Sequence, residues 1–504
     1  MLNLRPYQDR VIKEAREKLR AIKKRLQAQG IKRGPRLLIQ CPTGGGKTVL
    51  AAFICLSHLK QVANARVRFM CHRDFLVDQT SGTFDEVGID HSFIANGRWM
   101  NNFTPTHVCM IPTVTGRLSR YLMPTLCLWD ETHHIAANSW AKIMDAWSEA
   151  VHIGFSATPC RLDGKGLDAF YDDMVLGPSV SELIELKALS DYTYYAPSTP
   201  DLTGMHIRMG DYVQSELDEE MGKAVIIGNL VEHYGKLARG KRAVYFCTSI
   251  KNSIETVQAF NSQGFRFVHL DGEHSTWERD QAALMLARGE LDGISNVGLF
   301  GEGYDLAAQA RRAGWSGEPP TIEAVGIARP TKSLGFSRQM IGRVLRAKDY
   351  PGIILDHAGH LKEHGLPDDD VEWSLKGAQP KNKTATYQCE GCGAEVPVQS
   401  PVCRACGHKH DMEKPARKGA GGMREVEHKD GDLQEIDKDA IRKGKKLEEW
   451  QCGTLQEFVD LAKRRGYQHP EQWAAHMWTA KARRNGAREH AAKQQVNFFE
   501  ELMK

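Results

Sequence analysis

The chain has 504 residues, room for roughly three domains at about 150 residues each, so every domain can bury its own core. Hydrophobic residues make up 41% and charged residues 26%, with 46 Gly and 20 Pro, which excludes disordered and collagen-like classes. A net charge of +4 does not announce a nucleic-acid binder, so any basic surface must be local.

The opening MLNLRPYQDR lacks the apolar centre of a signal peptide, and no run reaches the ~20 apolar residues of a membrane span. This predicts a cytoplasmic protein with no membrane partner. Residues 10–36 carry eleven Lys/Arg against two acids, and Val11, Ala15, Leu19, Ile22 and Leu26 recur at helical spacing. The expectation is an amphipathic helix whose basic face is either solvated or set against nucleic acid. Strand-length apolar runs then alternate with helical patterns: LLIQC, VRFMC, VCMI, LCLWD and VHIGF. After a turn-rich passage near residues 190–205 the alternation resumes with AVYFC, FVHL, ISNVGL, AVGIA and GIILD. The fold class is therefore α/β, two tandem parallel-sheet domains over residues 1–195 and 205–374.

Beyond them SLKGAQPKNKTAT reads as a linker, residues 386–410 hold a cysteine cluster, and residues 411–446 form a charged connector poor in large apolar groups. Over 447–504, Leu455, Phe458, Val459, Leu461 and Ala462, then Trp473, Met477 and Trp478, space out as a small helical domain. Eight scattered cysteines (Cys41, Cys55, Cys71, Cys109, Cys127, Cys160, Cys247, Cys452) suit small buried hydrophobes in a reducing compartment.

CPTGGGKT at 41–48 lies between the strand LLIQ and the helical pattern VLAAFICLSHL, the setting of a phosphate-binding loop. Pro42, Thr43, Gly44, Gly45 and Gly46 let backbone N–H groups face a phosphate, Lys47 reaches the β- and γ-phosphates of ATP, and Thr48 ligates Mg2+. Cys41 stands where the strict pattern has its first Gly. LCLWDETH ends an apolar strand in two adjacent carboxylates, so Asp130 is placed to hold the Mg2+ shell and Glu131 to orient or deprotonate the attacking water. An Asp-Glu pair can equally cap a strand; the upstream loop favours the catalytic reading. Ser156 and Thr158 in IGFSATP follow another buried strand, and QMIGRVLR sets Arg343 and Arg346 one helical turn apart, suited to stabilise charge on a γ-phosphate.

In this order the motifs resemble those of superfamily 2 helicases of the DEAD/DEAH-box type, from residue 4 to about residue 365. The resemblance implies an ATP hydrolase of two RecA-like domains. LRPYQ would set Arg5 and Gln8 near the base, and GEGYD would set Gly303 and Asp305, with Gln339, near the nucleotide. His133, Ser156 and Thr158 would couple hydrolysis to movement. His72 and Arg73 in FMCHRDFLVDQ, Thr113 in IPTVTGRL, and Thr248 and Ser249 in FCTSIKNS would contact nucleic acid. SATPCRLDGKGL, IARPTKSLGFSRQMIGRVLR and IILDHAGHLKEHGLP are similar to RadD-like bacterial and phage DNA repair helicases. That implies DNA, single-stranded or branched, as partner, and a role in repair, recombination or replication. Met340 departs from the Arg that often follows the motif Gln.

Cys389-X2-Cys392 and Cys403-X2-Cys406 each precede a Gly, the pattern of a structural Zn2+ ribbon whose four thiolates leave no open position. A disulfide framework or a redox pair is the alternative, and His408 or His410 could substitute as a ligand. Arg404, Lys409, Lys381 and Lys383 fit contact with DNA or with a repair or replication protein. Two other functions stay open: a motor subunit of a restriction-type complex, and a DNA-binding or annealing scaffold with little unwinding.

Overall fold

The computed structural model describes residues 3–135, 138–161, 166–196, 224–300 and 305–380, with shorter pieces at 207–208, 211–212, 214–221, 386–388, 395–397, 409, 434–436, 438, 452, 454–464, 470–471, 473–475 and 477–478. The first lobe runs α1 (Pro6–Ala28), β1 (Arg36–Gln40), α2 (Lys47–Gln61), β2 (Val67–Cys71), α3 (Asp74–Val87), β3 (Ser92–Ile94), β4 (Thr106–Met110), α4 (Ile111–Gly116), β5 (Leu126–Trp129), α5 (Asn138–Ala146), β6 (Val151–Ser156), β7 (Asp173–Leu176) and α6 (Val180–Glu185). Its seven strands pair in the order β3-β4-β2-β5-β6-β1-β7, all parallel. Helices cover both faces of such a sheet, so its inner strands read as unbroken apolar runs. β2 and β5 are buried at every residue. α1 forms as its spacing dictates: Pro6 opens the first turn, Val11, Ile12, Ala15, Ile22 and Leu26 are buried, and the basic residues lie outside.

The second lobe holds β8 (Tyr192–Ala196), β9 (Ile207–Arg208), β10 (Asp211–Tyr212), α7 (Gln214–Met221), α8 (Ala224–Leu237), β11 (Ala243–Phe246), α9 (Ile250–Ser262), β12 (Phe267–Leu270), α10 (Thr276–Ala287), β13 (Gly293–Asn296), α11 (Leu306–Arg312), β14 (Ala324–Ile327), α12 (Leu334–Gly342), β15 (Gly352–Asp356) and α13 (His360–His364). Four further short strands follow in chain order: β16 (Val371–Ser374), β17 (Gly377–Pro380), β18 (Thr386–Gln388) and β19 (Glu395–Pro397). After these come β20 (Gln434–Glu435) and α14 (Leu455–Arg464). The second sheet has the order β12-β13-β11-β14-β15-β8-β20, parallel except for its last pair.

Three expectations are corrected here. The passage taken as an interdomain turn contains β8, which pairs with β15, so the second lobe starts before residue 195. Residues 434–436, expected within a charged connector, instead add β20 to the open edge of β8 and bury Ile436. Backbone groups along a sheet edge need partners, and a short strand with one apolar anchor meets that need. Finally, the start of the expected linker forms the β16–β17 hairpin, whose Leu375 carbonyl accepts from Leu167 N at 2.6 Å and Asp168 N at 3.0 Å in the first lobe.

All eight scattered cysteines are buried. Cys389, Cys392, Cys403 and Cys406 lie outside the described residues; the antiparallel β18–β19 hairpin flanks the first pair. α14 packs Phe458, Val459 and Leu461 with Cys452 and Ala474 in a small separate cluster. No helix among the described residues is long and apolar enough to cross a membrane.

Candidate active site

β1, β6 and β5 are neighbours in the first sheet, so their carboxyl ends deliver three loops to one point. After β1 the chain turns through Gly44 and Gly46, both at φ +81°, before Lys47 opens α2. Side chains are barred there by space as well: a Cβ on Gly45 would fall 2.6 Å from Cys41 Sγ, and one on Gly46 2.5 Å from Gln8 Nε2. Cys41 is thus a packing piece of the loop, its Sγ donating to Gly45 O at 3.3 Å, and burial pushes its thiol up to about 12. Tyr7 Oη donates to the same carbonyl at 3.1 Å, and Gln8 Oε1 accepts from Arg5 N at 2.9 Å, which fastens the start of α1 to the loop. Motif reading passes over Tyr7; its position between Arg5 and Gln8 was the available signal.

Asp130 and Glu131 follow β5, with Glu131 at φ +44°, a left-handed conformation that costs a non-glycine residue on the order of 1 kcal/mol. Its carboxylate is held from two sides, Oε1 lying 3.3 Å from Lys47 Nζ and Oε2 3.5 Å from His133 Nδ1. His133 Nδ1 in turn lies 3.2 Å from Ser156 Oγ, which donates to Thr158 O at 2.8 Å and accepts from Thr158 N at 3.1 Å. Burial, and next the neighbouring Glu131, push the Asp130 carboxyl up to about 6, against the pull of Lys47 and His72.

From the second lobe, α12 ends at the same cleft. A Cβ on Gly342 would stand 2.9 Å from Thr43 Cβ, and one on Gly335 2.9 Å from Thr158 Oγ1. Gly335, the buried Gln339 and Gly342 share one helix face by their spacing, and that face lies directly on the phosphate loop and the Ser156–Thr158 turn. Arg343 is buried at the helix end, and Arg346 Nη1 donates to Asp305 Oδ2 at 2.8 Å. Asp305 also caps α11, accepting from Ala308 N at 3.0 Å. Burial alone would raise its carboxyl, but Arg346 beside it holds it below the usual carboxylate range. The cleft, about 410 Å³, is lined by Arg5, Gln8, Thr43, Gly44, Gly46, Lys47, Thr48, Asp130, Glu131, Arg343 and Arg346. The Thr48 hydroxyl and the Asp130 carboxylate are oxygen donors of the kind Mg2+ takes.

The residues expected on a nucleic-acid track are not drawn together in this way. The His72 ring packs on His134 at 4.9 Å, beside the carboxylate pair, and Arg73 precedes α3. Thr113 is buried in α4 and Thr248 in the turn after β11, while Ser249 Oγ caps α9 by accepting from Asn252 N at 3.2 Å. Gly303 lies outside the described residues.

Residues 1–161 match the family described as type III restriction enzyme, res subunit. The 51.5 kDa protein of Lactococcus phage (isolate 7-9) is 31% identical over 383 residues, covering 75% of this chain and 78% of that protein. A Saccharomyces cerevisiae protein described as an ATP-dependent helicase, IRC3, is 26% identical over 343 residues, 63% of this chain and 48% of that one. Among solved structures, the fragment of an HsdR subunit of a type I restriction enzyme from Vibrio vulnificus YJ016 shares the fold, with a TM-score of 0.53 and 18% identity over 74% of this chain and 69% of that one. With two parallel-sheet lobes meeting over a phosphate loop and a carboxylate pair, and with these relatives, the chain belongs to the superfamily 2 helicases of DEAD/DEAH-related type.

Proposed function

We propose that the chain hydrolyses ATP between its two lobes and converts the turnover into movement along DNA. The observation that carries this reading is the convergence on one cleft of Lys47, Asp130 and Glu131 from the first lobe with Arg343 and Arg346 from the second. Family membership implies ATP and Mg2+. Lys47 and the amides of Gly44 to Gly46 would bind the phosphates, and Mg2+, which Thr48 and Asp130 would hold, supplies charge neutralisation. Glu131, aimed by Lys47 and His133, would take the proton of the attacking water. Arg343, and Arg346 on exchanging Asp305 for phosphate, would stabilise the charge that develops on the transferred group. The His133–Ser156–Thr158 hydrogen bonds link that carboxylate to the surface on which α12 rests, which supports their coupling role.

A structural Zn2+ at Cys389, Cys392, Cys403 and Cys406, and nucleic-acid contacts from His72, Arg73, Thr113, Thr248 and Ser249, belong to the same proposal. A role in DNA repair rests on the likeness of residues 156–167, 327–346 and 353–367 to RadD-like helicases. A restriction-type motor subunit is the second reading, favoured by the family matched at residues 1–161. Purified chain assayed with single-stranded, duplex and forked DNA and with RNA should show ATP turnover stimulated by DNA. Lys47→Ala and Glu131→Gln should each lower turnover at least about 100-fold. Wild-type turnover by Glu131→Gln, or a preference for RNA, would overturn the proposal. Tracking on duplex DNA without separating a fork would select the restriction-type reading.

A further inference from the structure

Away from the cleft, the rim of the second sheet gathers His269, Asp271 and His274. His269 lies on β12, the edge strand, and the loop that follows turns through Asp271 and His274 before Ser275 caps α10. His269 Nε2 lies 3.1 Å from Asp271 Oδ2, and His274 Nδ1 lies 2.8 Å from Asp271 Oδ1. The three ligand atoms fall within 4.8 Å of one another.

We propose that this trio binds a divalent transition-metal ion of the Zn2+ class and leaves at least one coordination position open. Two imidazoles and a carboxylate suit such ions, and the His-to-carboxylate distances are close to those between two ligands that share one ion at bonds of about 2.0–2.2 Å. Metal-ligating histidines are normally held by a hydrogen bond at the other ring nitrogen. His269 Nδ1 has this support from Ser253 Oγ at 2.7 Å, and Ser253 is braced by Ser295 Oγ at 2.6 Å, both serines being wholly buried. The ring therefore keeps Nε2 toward Asp271. Asp271 Oδ1 also accepts from Glu273 N at 2.9 Å. Burial raises its carboxyl, but the hydrogen bonds from His274 and then His269 outweigh this and hold it at about 2, so the donor is anionic at neutral pH. An ion would sit between the imidazole nitrogens and the carboxylate oxygens that face one another here. The trio gathers at the carboxyl end of β12, the side of a parallel sheet where ligands bind, and a fourth ligand could come from water or from a phosphate oxygen.

The test is a Co2+ titration of the metal-stripped full-length chain, followed by absorption. Ions on cysteine thiolates give sulfur-to-cobalt charge-transfer bands, whereas an ion on the trio gives only d–d bands. We expect a population without charge transfer that is lost in His274→Ala and His269→Ala and bound about 10–100-fold more weakly in Ser253→Ala. Unchanged melting of the metal-free variants reports that each is folded. No such population in the wild type would show the trio to be a hydrogen-bonded turn only and overturn the proposal. Its persistence in both histidine variants would do the same.

Discussion

His152 shows how one buried ring contributes to the pH response of the first lobe. Trp129 Nε1 can only donate, so His152 Nδ1 accepts from it at 3.1 Å and Nε2–H donates to Trp147 O at 3.0 Å, which fixes a neutral tautomer. Burial pulls the ring down to about 4, against an unfolded value near 6.5. Between these values the unfolded chain binds the extra proton, so the ring's contribution to stability is full above about pH 6.5 and falls as the pH drops toward 4. Gln keeps an acceptor and a donor but has no titratable ring. On going from pH 7.5 to 5.0, His152→Gln should lose about 2 kcal/mol less than the wild type in denaturant unfolding. Equal losses would refute the assignment. The cleft residues were legible in the sequence because motif chemistry is local: Lys47 and Thr48 open the helix after the glycine loop, and Asp130 and Glu131 directly follow a strand. Tyr7 and the Asp305–Arg346 pair were harder to see, since their contacts join segments far apart in the chain.

At the scale of elements, α12 is where the second lobe meets the loop after β1 and the Ser156–Thr158 turn. Gly342 and Gly335 have ordinary helical φ, so Ala fits their backbone, but its methyl would press into Thr43 or Thr158. The strain falls on the seam between lobes rather than on the helix. Gly342→Ala should therefore cut the maximal ATP turnover at least about 10-fold with little change in melting temperature. Gly82→Ala on α3 is the control, because a Cβ there meets nothing within 4 Å. It should stabilise by about 0.4–1 kcal/mol and leave turnover unchanged. Turnover unaffected by Gly342→Ala would mean that the seam opens freely during catalysis.

For the whole molecule, the proposed movement along DNA would need only a narrow line of backbone contacts, which a net charge of +4 over 504 residues allows. Its DNA affinity should fall with salt with a log–log slope of about −2 to −4, as for some three to five phosphates on a single strand. A slope near zero would argue against backbone tracking. The lobes touch at Arg312–Asp78, 3.1 Å apart, and at α12, while the hairpin after the second lobe returns to the first through Leu375. The sequence by itself determined the ten predicted strands, the two α/β lobes and the residues of the phosphate loop. Strands buried on both faces must be apolar throughout, and a phosphate loop needs small residues in series. Only the tertiary structure decided that β8 belongs to the second lobe, that residues 434–436 complete its sheet, and that His269, Asp271 and His274 converge. Edge pairing is made by backbone groups that every residue carries, and side-chain clusters depend on loop paths, so neither leaves a periodic mark in the chain.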